Sequence, residues 1–145
     1  MEYSFKDGYR EGVIFAFLKG DRILIEHRPG KEKDIFFPNG SIEIKDHING
    51  KDYKEVCLLR EVGEEFDGNI KLSKYEYLSE TKAESIKIVF YTFLITEWRG
   101  DMPKFTVEDG EKFADLEWIK LSDYKDYFIY DTAFEICENI KKKIE

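Results

Sequence analysis

A chain of 145 residues with 42% hydrophobic and 16% aromatic side chains is long and apolar enough for one domain with its own core, here expected over residues 1–145, and excludes a disordered chain. A net charge of −8 excludes a grip on a nucleic-acid duplex, which takes a basic stripe. No apolar run reaches membrane-spanning length and the first residues carry no signal-peptide pattern, so a cytoplasmic protein with no membrane partner is expected.

Val13-Ile14-Phe15-Ala16-Phe17-Leu18 is a continuous apolar run, the pattern of a buried strand. Lys19-Gly20-Asp21 turns the chain and Arg22-Ile23-Leu24-Ile25-Glu26 returns it, so residues 13–26 read as a hairpin. Arg28-Pro29-Gly30-Lys31 is a loop, and Ile35-Phe36-Phe37 a short strand stopped by Pro38. Asp52-Tyr53-Lys54-Glu55 is a capping box, with Asp52 accepting from the N3 amide and Glu55 reaching back. In the helix that follows, Val56, Leu59, Val62, Gly63 and Phe66 are expected to face the core, with Gly63 packed close against the sheet. Strands are expected at Tyr75–Leu78, Ile86–Thr96 and Leu116–Ile119, an acidic loop at Pro103–Phe113, and a last helix capped by Asp131. Cys57 and Cys137 lie in apolar-periodic segments and read as buried free thiols of a reducing compartment. His27 and His47 are too isolated for a zinc site. Strands, helix, strands, helix predict an α+β domain with a mixed sheet between helices.

The densest chemistry is Arg60-Glu61-Val62-Gly63-Glu64-Glu65. Carboxylates spaced i, i+3 and i+4 project from one helical face, roughly 5–6 Å apart at Cβ, and repel one another. No Lys one turn further on relieves them. Such a cluster is either a solvated face, the commoner case for bare spacing, or a site for a hard divalent cation with oxygen ligands. The flanking residues favour the second.

Those residues resemble the Nudix box, written G-x5-E-x7-R-E-U-x-E-E-x-G-U with U aliphatic. Arg60 to Glu65 matches R-E-U-x-E-E, and Phe36-Phe37-Pro38-Asn39-Gly40-Ser41-Ile42-Glu43 looks like the aromatic-x-P-G-G-x-x-E approach, with Asn39 for the first Gly. Three departures mark the box as degenerate. Asp52 stands eight residues before Arg60, where the pattern has Glu. The stretch from Gly40 to Asp52 is six residues too long, so residues 44–50 are expected to loop out as a surface excursion. Asp67-Gly68 displaces the late Gly by one position.

The resemblance, to MutT-like Nudix hydrolases, implies an α/β/α sandwich and Mg²⁺-dependent (or Mn²⁺-dependent) hydrolysis of a nucleoside diphosphate linked to another moiety. The substrate would be a modified nucleoside triphosphate, a dinucleotide or a nucleotide sugar. Glu61, Glu64, Glu65 and the backbone carbonyl of Asn39 would hold the metal, and Arg60 would orient a box carboxylate. Arg28 would meet substrate phosphate. Glu111, ahead of Glu108, would serve as general base, with a box Glu as the remaining possibility. The resemblance also implies a monomer or homodimer. A Nudix-fold nucleotide-binding or regulatory domain without turnover is the alternative.

Overall fold

The computed structural model describes residues 2–30 and 34–145; Lys31, in the expected loop after Arg28, lies outside them. Strands β1 (Phe5–Lys6), β2 (Tyr9–Lys19), β3 (Arg22–His27), β4 (Ile35–Phe36) and β5 (Asn39–Ser41) lead through a 3₁₀ turn (Ile44–Asp46) into α1 (Tyr53–Glu65). Then come β6 (Lys71–Ala83), β7 (Ile88–Arg99), β8 (Phe105–Glu108), β9 (Glu111–Lys120), a second 3₁₀ turn (Leu121–Asp123), α2 (Tyr124–Tyr127) and α3 (Asp131–Ile144). The strands order as β6-β7-β2-β3-β9-β8, with β1 and β5 on β2 and β4 on β3. Only β2 and β7 run parallel among the described pairs, from Arg10↔Ile88 to Phe17↔Ile95. The expected mixed sheet between helices is what forms.

Burial on both faces dictates this layering. Along β2, Val13, Phe15 and Phe17 point to the side covered by α1, where they meet Leu24, Leu58, Val62 and Phe66. Ile14, Ala16 and Leu18 point to the opposite side, against Ile23, Ile25, Ile136 and Ile140, beneath α3. The continuous apolar run is therefore one strand serving two cores. Phe66 sits edge-on to Phe17 at 5.4 Å between ring centroids and closes the α1 side.

What places the functional residues is the way β2 and β3 part. They pair only beside their turn, at Leu18↔Ile23 and Lys19↔Arg22. Further along, β5 takes the free edge of β2, with Val13 opposite Gly40 and Ile14 opposite Asn39. Backbone bonds from Phe15 N–H to Pro38 O and from Ile42 N–H to Glu11 O flank this ladder. Alternation makes Ile14/Asn39 a non-hydrogen-bonded pair, so the Asn39 carbonyl is directed off the far edge of β5.

A buried polar knot fixes α1 over the sheet. Glu11, 2% exposed on β2, accepts hydrogen bonds from Ser4 Oγ, Tyr53 OH and Tyr91 OH, each at 2.6 Å. His47 Nε2 lies 2.8 Å from Ser4 Oγ, and its ring stacks on Tyr53. Burial alone would raise the Glu11 carboxyl, but the three hydroxyl donors outweigh it and hold it below 4.5.

Several expectations need correction. The inner face of α1 is Cys57, Leu58, Val62 and Phe66, whereas Leu59 is 47% exposed. Asp52 caps the helix through the Lys54 amide, at N2 and not N3. The acidic segment 103–113 is not a loop: β8 and β9 form a hairpin there, its Asp109-Gly110 turn having φ of 52° and 79°, as a type I′ turn requires. Tyr130, not Asp131, is the N-cap residue of α3. Asp67 and Gly68 both adopt positive φ, so the displaced glycine leaves the end of α1 intact.

Gly63 does not pack against the sheet; a Cβ built there meets nothing within 4 Å. Its backbone is helical and its surroundings open, so Gly63→Ala is expected to stabilise the fold by about 1 kcal/mol. Urea unfolding checks this, and a loss of stability would restore the packed reading.

Candidate active site

Arg60, on the third turn of α1, organises the site. Its side chain is 16% exposed, and its Nε and Nη2 grip the two oxygens of Asp46, both at 2.8 Å. Nη1 donates to Glu61 Oε1 at 2.8 Å and Glu64 Oε2 at 3.1 Å, and stands 3.2 Å from Glu43 Oε2. Nη2 also donates to the Ser41 carbonyl at 3.2 Å. One guanidinium thus ties α1 to β5 and to the 3₁₀ turn. Four carboxylates around Arg60, with the exposed Lys45 beside Glu43 as a second cation, leave the cluster in negative excess.

Asp46 therefore takes the position expected of Asp52. It lies six residues after Gly40, as G-x5-E requires, and is 1% exposed. Counting forward from Gly40, and not backward from Arg60, finds it in the sequence. The inserted residues then fall after Asp46, and the segment 44–50 is no mere surface excursion: Ile44 and Ile48 are exposed, but Asp46 is locked beneath the helix.

The three box carboxylates occupy different surroundings. Glu64 is exposed, its side chain at 57%. Glu61 is folded in beside β5, so close that a Cβ on Gly40 would fall 2.4 Å from its Cγ and Cδ. Only glycine leaves that room. Desolvation pushes the Glu61 carboxyl up to about 7 against the pull of Arg60. Glu65 faces the sheet; its Oε2 is buried without a hydrogen-bond partner among the described residues. Desolvation, then the charges of Glu26 and Glu61, hold it well above the ordinary range. Of the three, Glu64 alone points out to solvent.

Glu26, which the sequence reading passed over, faces them from β3. It is 1% exposed and accepts from Arg28 Nε at 3.0 Å, while its Oε2 has no hydrogen-bond partner among the described residues. Burial lifts it to about 7 despite Arg28. Its sequence signal was a carboxylate at the position where β3 alternation calls for a second residue like Leu24 under α1.

Of the hairpin carboxylates, Glu108 adds a charge that raises both Glu26 and Glu65. Asn39 has no positive φ, so the side chain standing in for Gly leaves the backbone extended; its amide donates to the Phe37 carbonyl at 2.8 Å. Arg28 lies with its guanidinium 5.8 Å from the Phe36 ring. Both border a cleft of about 700 Å³ between β5, the β6–β7 turn and the start of α3, lined also by Arg10, Lys82, Phe90 and Tyr130.

Among the described residues, no three acidic, His or Cys side chains already stand together as a cation site. Arg60 draws Glu61 and Glu64 to itself, and Glu65 turns to the other side. The donor set nonetheless suits a hard cation: all oxygen, in charge excess, with a buried carboxylate oxygen lacking a partner.

Solved structures supply the comparison. No family model and no curated protein sequence matches the chain. It is similar to MutT from the study of Aliivibrio salmonicida and Vibrio cholerae, with 20% identity and a TM-score of 0.67 over 92% of this chain and 97% of that one. The MutT NUDIX hydrolase of Burkholderia pseudomallei gives 20% identity and a TM-score of 0.66 over 90% and 97%. The NUDIX domain of Shewanella oneidensis NrtR, complexed with ADP-ribose, gives 13% and 0.67 over 97% and 91%. The chain has the Nudix fold.

Two predictions follow from the geometry. Asp46→Ala strands part of a buried guanidinium and should cost about 3 kcal/mol, whereas Asp52→Ala removes only a helix cap, worth about 1 kcal/mol. Equal losses in chemical unfolding would undo the assignment of Asp46. The second concerns pH. Glu26 and Glu61 titrate near 7 when folded and near 4.5 when unfolded, and Glu65 shifts the same way, so between these values the folded state holds more protons. Metal-free stability should therefore fall as pH rises from about 5 to 8. Glu11 and Asp46 are lowered instead, from 4.5 and 3.8, so their contribution is present above those values and lost below them. Thermal melts across pH 3–8 in chelator should show a maximum near pH 5.

Proposed function

We propose that this protein is a divalent-metal-dependent hydrolase of a phosphoric anhydride bond in a nucleotide, acting on a nucleoside diphosphate linked to another moiety. The observation that carries this reading is that a nucleotide-sized cleft bordered by Arg10, Arg28 and Lys82 meets the surplus carboxylates through Arg28, which pairs with Glu26, and Gly40, which packs on Glu61. The Nudix fold supports it. A small anion approaching a protein of net charge −8 needs such local cations.

Glu61, Glu64, Glu65 and the outward carbonyl of Asn39 are the groups to hold Mg²⁺ or Mn²⁺. The bound ion would neutralise phosphate charge and lower the pKa of a water. Arg60 fixes the rotamers of Glu61 and Glu64 from behind while its bidentate grip on Asp46 holds it still. Arg28, itself oriented by Glu26, receives a phosphate oxygen. Phe36, Phe90 and Tyr130 offer apolar walls for the base and exclude water. Glu108 is assigned the general base in place of Glu111, because β8 runs beside α1 and the Glu108 charge reaches Glu26 and Glu65.

A phosphate-release screen over nucleotides with millimolar Mg²⁺ tests the reading, alongside melting temperatures with and without metal. Mg²⁺ should raise the melting temperature by mass action. Glu61→Gln, Glu64→Gln and Glu65→Gln should shrink that rise and lower kcat by about a hundredfold or more. Glu108→Gln should lower kcat by roughly 10²–10⁴-fold with metal affinity kept, and Glu111→Gln should change little. Metal and nucleotide binding without phosphate release would instead identify a Nudix-fold binding domain.

A further inference from the structure

We propose that Glu26 is an additional cation ligand, acting through its free Oε2 alongside Glu65, so that the acidic site extends from α1 onto β3. The inference rests on the reading above that Glu65 holds a divalent metal.

Strand β3 alternates. Ile23 and Ile25 enter the core beneath α3, while Leu24 enters the one beneath α1. Glu26 continues on the Leu24 side, 1% exposed, where an aliphatic side chain would satisfy the packing. A buried carboxylate oxygen with no donor is expensive, by about 1–3 kcal/mol or more when charged. Among the described residues two such carboxylate oxygens occur, Glu26 Oε2 and Glu65 Oε2, on β3 and α1, which share one core. Neither the ladder of β3 nor the turns of α1 supply them a donor. Arg28 is engaged with the other oxygen of Glu26, at 3.0 Å. Glu108 adds a third negative charge from β8, which runs beside α1. Each element could have avoided this repulsion with an apolar residue, and none does.

A hard cation resolves the arrangement, since it takes several carboxylate oxygens at once and needs no hydrogen-bond donor. Because Oε1 keeps the Arg28 contact, Oε2 can be given to a cation without stranding the guanidinium. Glu26 would then couple the two halves of the site, one oxygen on the metal and the other on the arginine that meets phosphate.

Calorimetric Mn²⁺ titration of the full chain tests this, with melting temperatures measured in chelator and in Mn²⁺. Glu26→Gln should melt higher than the parent in chelator, yet bind Mn²⁺ about tenfold more weakly or worse and gain a smaller Mn²⁺-dependent rise. Glu26→Asp, which keeps the charge and shortens the reach, should also bind more weakly. Parental Mn²⁺ affinity in both variants, with Glu65→Gln impaired, overturns this proposal and leaves the functional reading standing. A loss of equal size in Arg28→Gln assigns the effect to the guanidinium and overturns it too. Absence of Mn²⁺ binding by the parent protein overturns the functional reading and this proposal together.

Discussion

The bidentate contact between Arg60 and Asp46 is the constraint on which the rest of the site depends. A guanidinium stays charged at any physiological pH and presents its donors in a rigid fork, so gripping both oxygens of Asp46 fixes its plane. The remaining donors are then aimed, toward Glu61, Glu64 and the Ser41 carbonyl. Helix α1 cannot rotate about its axis without breaking several charge-assisted bonds at once. Burial of Asp46 opposes its ionisation, but the Arg60 hydrogen bonds win and lower its carboxyl below 3.8.

The same contact explains how an insertion is tolerated so close to a functional helix. Additional residues are harmless when the anchors on either side of them are held independently. Asp46 is fixed by Arg60 and by the Glu43 amide, at 2.9 Å, and the helix start is fixed by Asp52 and by Tyr53 on Glu11. The loop between them even contributes, since His47 closes over Ser4 and Tyr53. Length was added where both ends were already secured.

Local signals in the sequence carried the fold further than they carried the site. The continuous run Val13–Leu18 and the β-rich stretch after Ile86 were legible because burial and β-branching are written residue by residue. The phase of α1 was not, since Val56/Leu59 and Leu58/Val62 both keep helical spacing and only the tertiary contact chooses. Asp109-Gly110 announced a hairpin, but the charges around it masked the strands. Within the site, Arg60-Glu61 and Glu64-Glu65 stood out because they are adjacent in the chain. Asp46 and Glu26 did not, because their meaning is given by partners far away in sequence. An acidic residue at the end of a strand looks like a surface residue until the helix above it is in place.

The parallel seam between β2 and β7 also bears on how the chain is made. Residues 13–17, within the most apolar segment, leave the ribosome well before their partner along one edge, which is contributed by Tyr91–Ile95. Until β6 and β7 have been synthesised and docked, that strand waits with an unpaired edge, and non-local parallel pairing is slow to close. The Glu11 knot waits likewise, because Tyr91 sits on the late strand. Closure of this sheet is therefore governed by the arrival of residues 88–95, and a nascent chain stalled before residue 88 exposes a sticky strand for a chaperone to cover.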